Sequence, residues 1–231
     1  MSRVGNLRNR FTQNMDKESM LGLSYRWFGL FLVSLTAVCI FMSPTAPQVV
    51  SNNSLEPTTQ IQYQYYPISG TTASDLRSQM QRHGPRDPVT AQRFDARVDW
   101  RVNWSFRYAI NRQQCTMQRV KTHVHVTYTL PQWKPLAPVE RSLVTEWNQY
   151  LAALQHHEDG HKRHGLEAGR AILRTLTPLS AASCRDLERA AQSAARAVIQ
   201  TYNQKDFEYD RLTRHGYTQG AVFPAPATVS R

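Results

Sequence analysis

Hydrophobic and polar positions alternate along "RVDWRVNWSFRYAI", residues 97–110. Val98, Trp100, Val102, Trp104, Phe106, Tyr108 and Ile110 take the even places; Arg97, Asp99, Arg101, Asn103, Ser105, Arg107 and Ala109 take the odd ones. A period of two sends these sets to opposite faces of a strand, so the pattern predicts a β-strand with one buried and one wet face. "RVKTHVHVTYTL" repeats the pattern, with Val120, Thr122, Val124, Val126, Tyr128 and Leu130 set against Lys121, His123 and His125. The polar stretch "NRQQC" between the two is of turn length and predicts an antiparallel hairpin. A short strand, "IQYQYY", comes earlier. In "TTASDLRSQMQRHGP", Thr72 and Asp75 have capping-box spacing and Gly84-Pro85 ends the predicted helix.

From Pro138 the period becomes helical. Leu143, Trp147, Tyr150, Leu151 and Leu154 recur at i, i+3, i+4 and predict one buried helix face. A second helix is expected from Ser183, with Asp186 at capping distance and Leu187, Ala191, Ala194, Val198 and Tyr202 on its inner face. The predicted class is α+β: a small antiparallel β-sheet packed with a helical half.

The first stripe runs into "LQHHEDGHKRHG", residues 154–165, where His157-Glu158-Asp159-Gly160-His161 reads H-E-x-x-H. Residues four apart share a helix face, so both imidazoles can reach one cation, with Glu158 offset beside them as a general base. Stepping along 147, 150/151 and 154 leads to 157/158 and 161, so the pair continues the buried face. His156 points off it. Zinc is the expected metal, and a catalytic zinc takes three protein ligands plus water. The third ligand is sought in "YDRLTRHGYTQGAVFP", residues 209–224. His215 is the preferred candidate, Asp210 its competitor, and Tyr217 an expected donor to the oxyanion. His164 is a further alternative ligand, although three ligands at i, i+4 and i+7 on one straight helix converge poorly. His123 and His125 share a strand face and form a second possible pair.

Charge and cysteines place the domain. The chain carries a formal +11, but its arginines form no compact block, and no nucleic-acid partner is expected. Residues 27–42, "WFGLFLVSLTAVCIFM", hold no charge. Arg3, Arg8, Arg10, Lys17 and Arg26 precede them, and no Lys or Arg follows until Arg77. That asymmetry predicts a cytoplasmic tail 1–26, a transmembrane signal anchor 27–42 and the remainder across the membrane, a cleaved signal peptide being the alternative. Residues 43–60 read as a linker, 61–224 as the working domain and 225–231 as a tail. Cys115 and Cys184 are the two cysteines beyond the anchor and are expected to form a disulfide in an oxidising compartment.

Taken together, "YYPISGTTASDLRSQM", "RFDARVDWRVNW", "TLPQW", "HHEDGH" and "YDRLTRHGYTQGA" resemble an uncharacterised bacterial family described as predicted secreted zinc-dependent proteases. The resemblance implies zinc at His157 and His161, Glu158 as the catalytic residue, and the His215 segment in the same site. The expected function is therefore a zinc-dependent metallohydrolase, a peptidase anchored in the bacterial inner membrane and facing the periplasm, acting on a peptide or envelope substrate. Two other classes stand beside it. One is a non-catalytic envelope module with a structural metal. The other is a basic domain binding an anionic envelope polymer through Arg97, Arg101 and Arg107.

Overall fold

The sheet is built around one long strand. In the computed structural model, which describes residues 56–87, 91–111 and 114–225, β3 (Gln114–Trp133) lies between β1 (Thr58–Ile68) and β2 (Arg97–Asn111). β2 and β3 form the expected antiparallel hairpin, from Arg97 opposite Thr129 to Asn111 opposite Gln114. β1 runs parallel to β3, with Thr58 opposite His123 and Ile68 opposite Trp133. The α+β class holds, but the sheet is mixed, not antiparallel. A parallel pair needs a crossover of a dozen residues or more, and residues 69–113 provide one. They carry α1 (Ala73–His83) and then β2. A two-residue β4, Ser180–Ala181, pairs with Cys115 and Thr116 of β3.

Alternation decides which sheet face is covered. Trp100, Val102, Thr122, Val124, Val126, Tyr128 and Leu130 are buried. Ile110 is 77% exposed despite its even position, because a register shift between Arg107 and Tyr108 precedes it and it sits near the hairpin tip. Two long helices cover the even face. α2 (Arg141–Leu176) has 36 residues, or about 54 Å at 1.5 Å per residue. α3 is Cys184–Thr213. Trp104 Nε1 donates to Gln192 Oε1 at 3.1 Å, and the Tyr108 hydroxyl bonds Glu188, so α3 stands over β2.

The helix ends follow their capping residues. Asp75 N donates to Thr72 Oγ1 at 3.1 Å while Thr72 N donates back to Asp75 Oδ2, also at 3.1 Å, which starts α1. Ser183 Oγ accepts from Asp186 N at the start of α3. The next residue, Cys184, is disulfide-bonded to Cys115, with Cα atoms 5.1 Å apart, and ties the helix to the sheet. The inner face of α3 runs through Leu187, Ala191, Ala195, Ile199, Tyr202 and Asp206. This is one position on from the expected Ala194 and Val198, which are half-buried at the margin of the core.

α2 passes unbroken through Gly160 and Gly165. A Cβ at Gly165 would lie 2.7 Å from Trp100 Cβ, so this glycine admits the tryptophan from β2 and does not bend the helix. The expected anchor 27–42, the linker as far as residue 55, and the tail from 226 lie outside the described residues. Among the described residues no helix is long and apolar enough to cross a membrane.

Candidate metal centre

The apolar stripe of α2 does lead into the histidines. Leu154 is followed on the buried face by His157, Glu158 and His161, while His156 is exposed. α3 runs antiparallel beside this segment, since Asp206 meets His161 and Asp210 meets both His161 and His157. Asp210 Oδ1 is 3.2 Å from His157 Nε2 and 3.1 Å from His161 Nε2. Ligand atoms bound tetrahedrally at zinc distances of 2.0–2.1 Å stand about 3.3 Å apart, so both contacts of Asp210 have the spacing of atoms on one metal, and all three ligand atoms lie within 4.8 Å of one another. They form one of two groups of three metal-capable side chains found among the described residues.

Each histidine is oriented through its other nitrogen. His161 Nδ1 lies 3.0 Å from Asp206 Oδ1, and His157 Nδ1 lies 3.0 Å from Gln219 Oε1. With a metal bound, these acceptors would keep the N–H at Nδ1 and leave each Nε2 to the cation. Asp206 is fixed in turn by Trp100 Nε1, which donates to Oδ2 at 2.5 Å. His164 Nδ1 also contacts Asp206 Oδ1, at 2.6 Å. This makes His161, His164 and Asp206 the second metal-capable group. His164 does not line the cavity over the cluster, so its place is as a partner of Asp206 outside the Asp210 triad. Asp206→Asn is expected to weaken metal binding about 10–100-fold, read by competition against a chromogenic chelator.

Tyr209 and two glycines complete the packing. The Tyr209 ring stacks on His157 at 5.0 Å between centroids, and its hydroxyl donates to the His157 carbonyl at 3.1 Å. A Cβ at Gly160 would lie 2.3 Å from Tyr209 Cζ, so only glycine admits this ring. Gly160→Ala improves helix propensity by about 1 kcal/mol, yet displacing the ring costs about 1–3 kcal/mol. A lowered melting temperature together with weaker metal binding is the expected outcome. After α3, Arg214, His215 and Gly216 all have positive φ. Gly216 thereby passes against His157, where a Cβ would lie 3.0 Å from His157 Cγ.

The electrostatics match a cation site. Burial alone would raise the Asp210 carboxyl, but hydrogen bonds to His157, His161 and His215 hold it far below the usual carboxylate range. Burial lowers His161, yet Asp206 and Asp210 raise it to about 10. Glu158 is 4% exposed. Burial pushes it up to about 7, with His161 and His157 opposing and a backbone hydrogen bond from Val98 on the carboxylate. Its Oε2 is buried with no hydrogen-bond partner. A cavity of about 280 Å³ opens over these groups, walled by Phe94, Ala96, Val98, Leu154 and Ala221 and bordered by His215.

Two expectations change. Asp210, ranked behind His215 as the third ligand, is the residue that joins the two histidines. His215 Nδ1 stands 3.4 Å from Asp210 Oδ1, and its side chain is 53% exposed. Tyr217 is 49% exposed and lies under the Arg214 guanidinium; it does not line the cavity, because the turn after Gly216 carries it outward. His123 and His125 touch edge to face at 4.1 Å but belong to neither group of three. Sequence reasoning missed Asp206, Tyr209 and Gln219. Asp206 was marked by falling four residues before Asp210 on the same helix face, and Gln219 by its place in the "YTQGA" motif.

No curated protein and no solved structure matches the chain. The model of one family spans residues 63–216, which contain β2, β3, both long helices, His157, Glu158, His161, Asp206, Asp210 and His215. The chain belongs to that family, described as bacterial protein of unknown function (DUF922).

Proposed function

We propose that the protein is a zinc-dependent hydrolase of amide bonds in peptides or peptide-bearing envelope polymers, with His157, His161 and Asp210 as the zinc ligands and Glu158 as the general base. The observation that carries this is a convergence. Two imidazole Nε2 atoms lie 3.2 and 3.1 Å from one Asp210 carboxylate oxygen, beside a buried Glu158 oxygen that has no protein partner. A purely structural metal site has no need of a further acidic group left unsatisfied at the cavity. The bound zinc supplies Lewis-acid polarisation of a carbonyl and a lowered pKa for water.

The chain's own residues do the rest. Glu158 Oε2 takes a proton from the attacking water and returns it to the leaving nitrogen. Asp206 and Gln219 hold the two imidazoles in register. His215, raised in pKa by its bond to Asp210, lines the cavity and donates to the oxygen on which charge develops, the role first assigned to Tyr217. The Cys115–Cys184 disulfide supports action in an oxidising compartment. With the apolar segment 27–42, it supports a domain tethered to the inner membrane and working outside the cytoplasm.

The test uses the full chain loaded with zinc and offered peptides and cross-linked peptidoglycan fragments. Hydrolysis that stops with a chelator and returns with zinc is expected. A rival reading draws on His215, which at 3.4 Å from Asp210 would close the coordination and make the metal structural. It predicts that a small hydroxamate fails to bind the zinc-loaded protein, whereas the hydrolase reading predicts binding.

A further inference from the structure

The sheet face turned away from α2 and α3 has no part in the metal centre, and its charge is one-sided. On β2 it carries Asp99, Arg101, Asn103, Ser105 and Arg107, and on β3 it carries Arg119, Lys121, His123, His125 and Thr127. β1 adds Thr58, Gln60, Gln62 and Gln64 in register with His123 to Thr129. Arg101, Arg107, Arg119 and Lys121 are exposed. Asp99 is the one acidic residue among these positions, and it is ion-paired with Arg97.

The pairing register places two arginines face to face and sets the other cations opposite polar side chains. Arg107 lies directly opposite Arg119, Arg101 opposite His125, and Ser105 opposite Lys121. Like charges facing each other across a ladder destabilise a sheet. Burial lowers the His125 pKa, and the neighbouring His123 and Arg101 act in the same direction. On the helical side two exposed arginines have carboxylates one helical turn away: Arg189 pairs with Asp186, and Arg211 with Glu208.

The shape and chemistry of this face narrow the occupant. It is a sheet surface, not a groove, so its cations form a two-dimensional array. Its side chains are Arg, Lys, His, Gln, Asn, Ser and Thr, with no aromatic platform for stacking nucleobases. In the sequence, residues 43–57 are all that separate the apolar segment 27–42 from β1. Fully extended, that stretch reaches at most about 50 Å. We infer that this face docks on a bilayer, with Arg101, Arg107, Arg119 and Lys121 engaging anionic phospholipid headgroups. Docking would hold the metal centre, on the opposite layer of the fold, facing away from the lipid. The attraction falls off within a Debye length and is screened by salt. The inference is independent of whether the metal centre is catalytic.

Lys121 is the reporter. The full chain is mixed with vesicles of pure phosphatidylcholine, or of phosphatidylcholine and phosphatidylglycerol in equal parts. A water-soluble amine reagent is added, and labelling of Lys121 is compared with that of exposed Lys134 and Lys205 in the same sample. Labelling of Lys121 is expected to fall several-fold in the phosphatidylglycerol vesicles alone, to recover in high salt, and to stay high in an Arg101→Glu/Arg119→Glu variant. Equal labelling of Lys121 in both vesicle types overturns the inference. So does protection that persists in the variant. Stronger protection by soluble polyphosphate than by phosphatidylglycerol vesicles assigns the face to a free polyanion and overturns it too.

Discussion

Glu158→Gln is expected to lower hydrolytic turnover by about 10²- to 10⁴-fold while leaving zinc content unchanged. Glutamine keeps the shape and an acceptor oxygen but cannot take the proton, and Glu158 lies outside the His157–His161–Asp210 triad. The same substitution carries a second signature that a merely structural glutamate would not show. Burial raises the Glu158 carboxyl from 4.5 to about 7 in the metal-free protein, so between those values the folded chain holds a proton that the unfolded chain releases. Stability therefore declines as pH rises through that window. At 1.36 kcal/mol per unit the cost approaches about 3 kcal/mol above pH 7. Metal-free Glu158→Gln should accordingly unfold at higher denaturant than metal-free wild type at pH 8, with the gap closing by pH 5. A variant that is both inactive and stabilised marks a carboxylate kept for chemistry. Full activity in Glu158→Gln would remove it from the mechanism.

Replacing Asp210 is expected to cost more zinc affinity than replacing His215. Asp210 Oδ1 contacts both ligand histidines, whereas His215 reaches the cluster through Asp210 alone among the contacts described. Loss of Asp210 should exceed the roughly 10–100-fold penalty typical of supporting residues. His215→Ala should stay within that penalty and appear mainly as lost turnover. Equilibrium dialysis of the two variants against buffered zinc separates the cases. If His215→Ala abolishes binding while Asp210→Ala keeps it, the ligand assignment reverses to the order read from the sequence.

That reversal of rank has a physical origin in the register of α3. Reading its stripe through Ala194 and Val198 leaves the helix end without a defined inner face. The true stripe, through Ala195, Ile199 and Tyr202, steps on to Asp206 and Asp210 and carries both carboxylates to the histidines. On α2 the stripe from Leu143 to Leu154 was strong enough to place His157 and His161 correctly. There the large aromatics Trp147 and Tyr150 mark the face without ambiguity, whereas alanines on α3 mark it weakly. The caps at Thr72 and Ser183 were legible because their partners are local in sequence. The parallel pairing of β1 was not, since it depends on a crossover through residues 69–113. Tyr217 was misplaced because three successive positive φ values at Arg214, His215 and Gly216 set the direction of the turn, and two of those residues are not glycine.

Zinc K-edge absorption of the full chain, after dialysis against buffered zinc, tests the central claim most directly. One zinc per chain is predicted, with two imidazole nitrogens and a carboxylate oxygen at about 2.0–2.2 Å and a spectrum that changes when Asp210 is replaced. A chain that retains no zinc, or whose zinc spectrum is the same without Asp210, would contradict it.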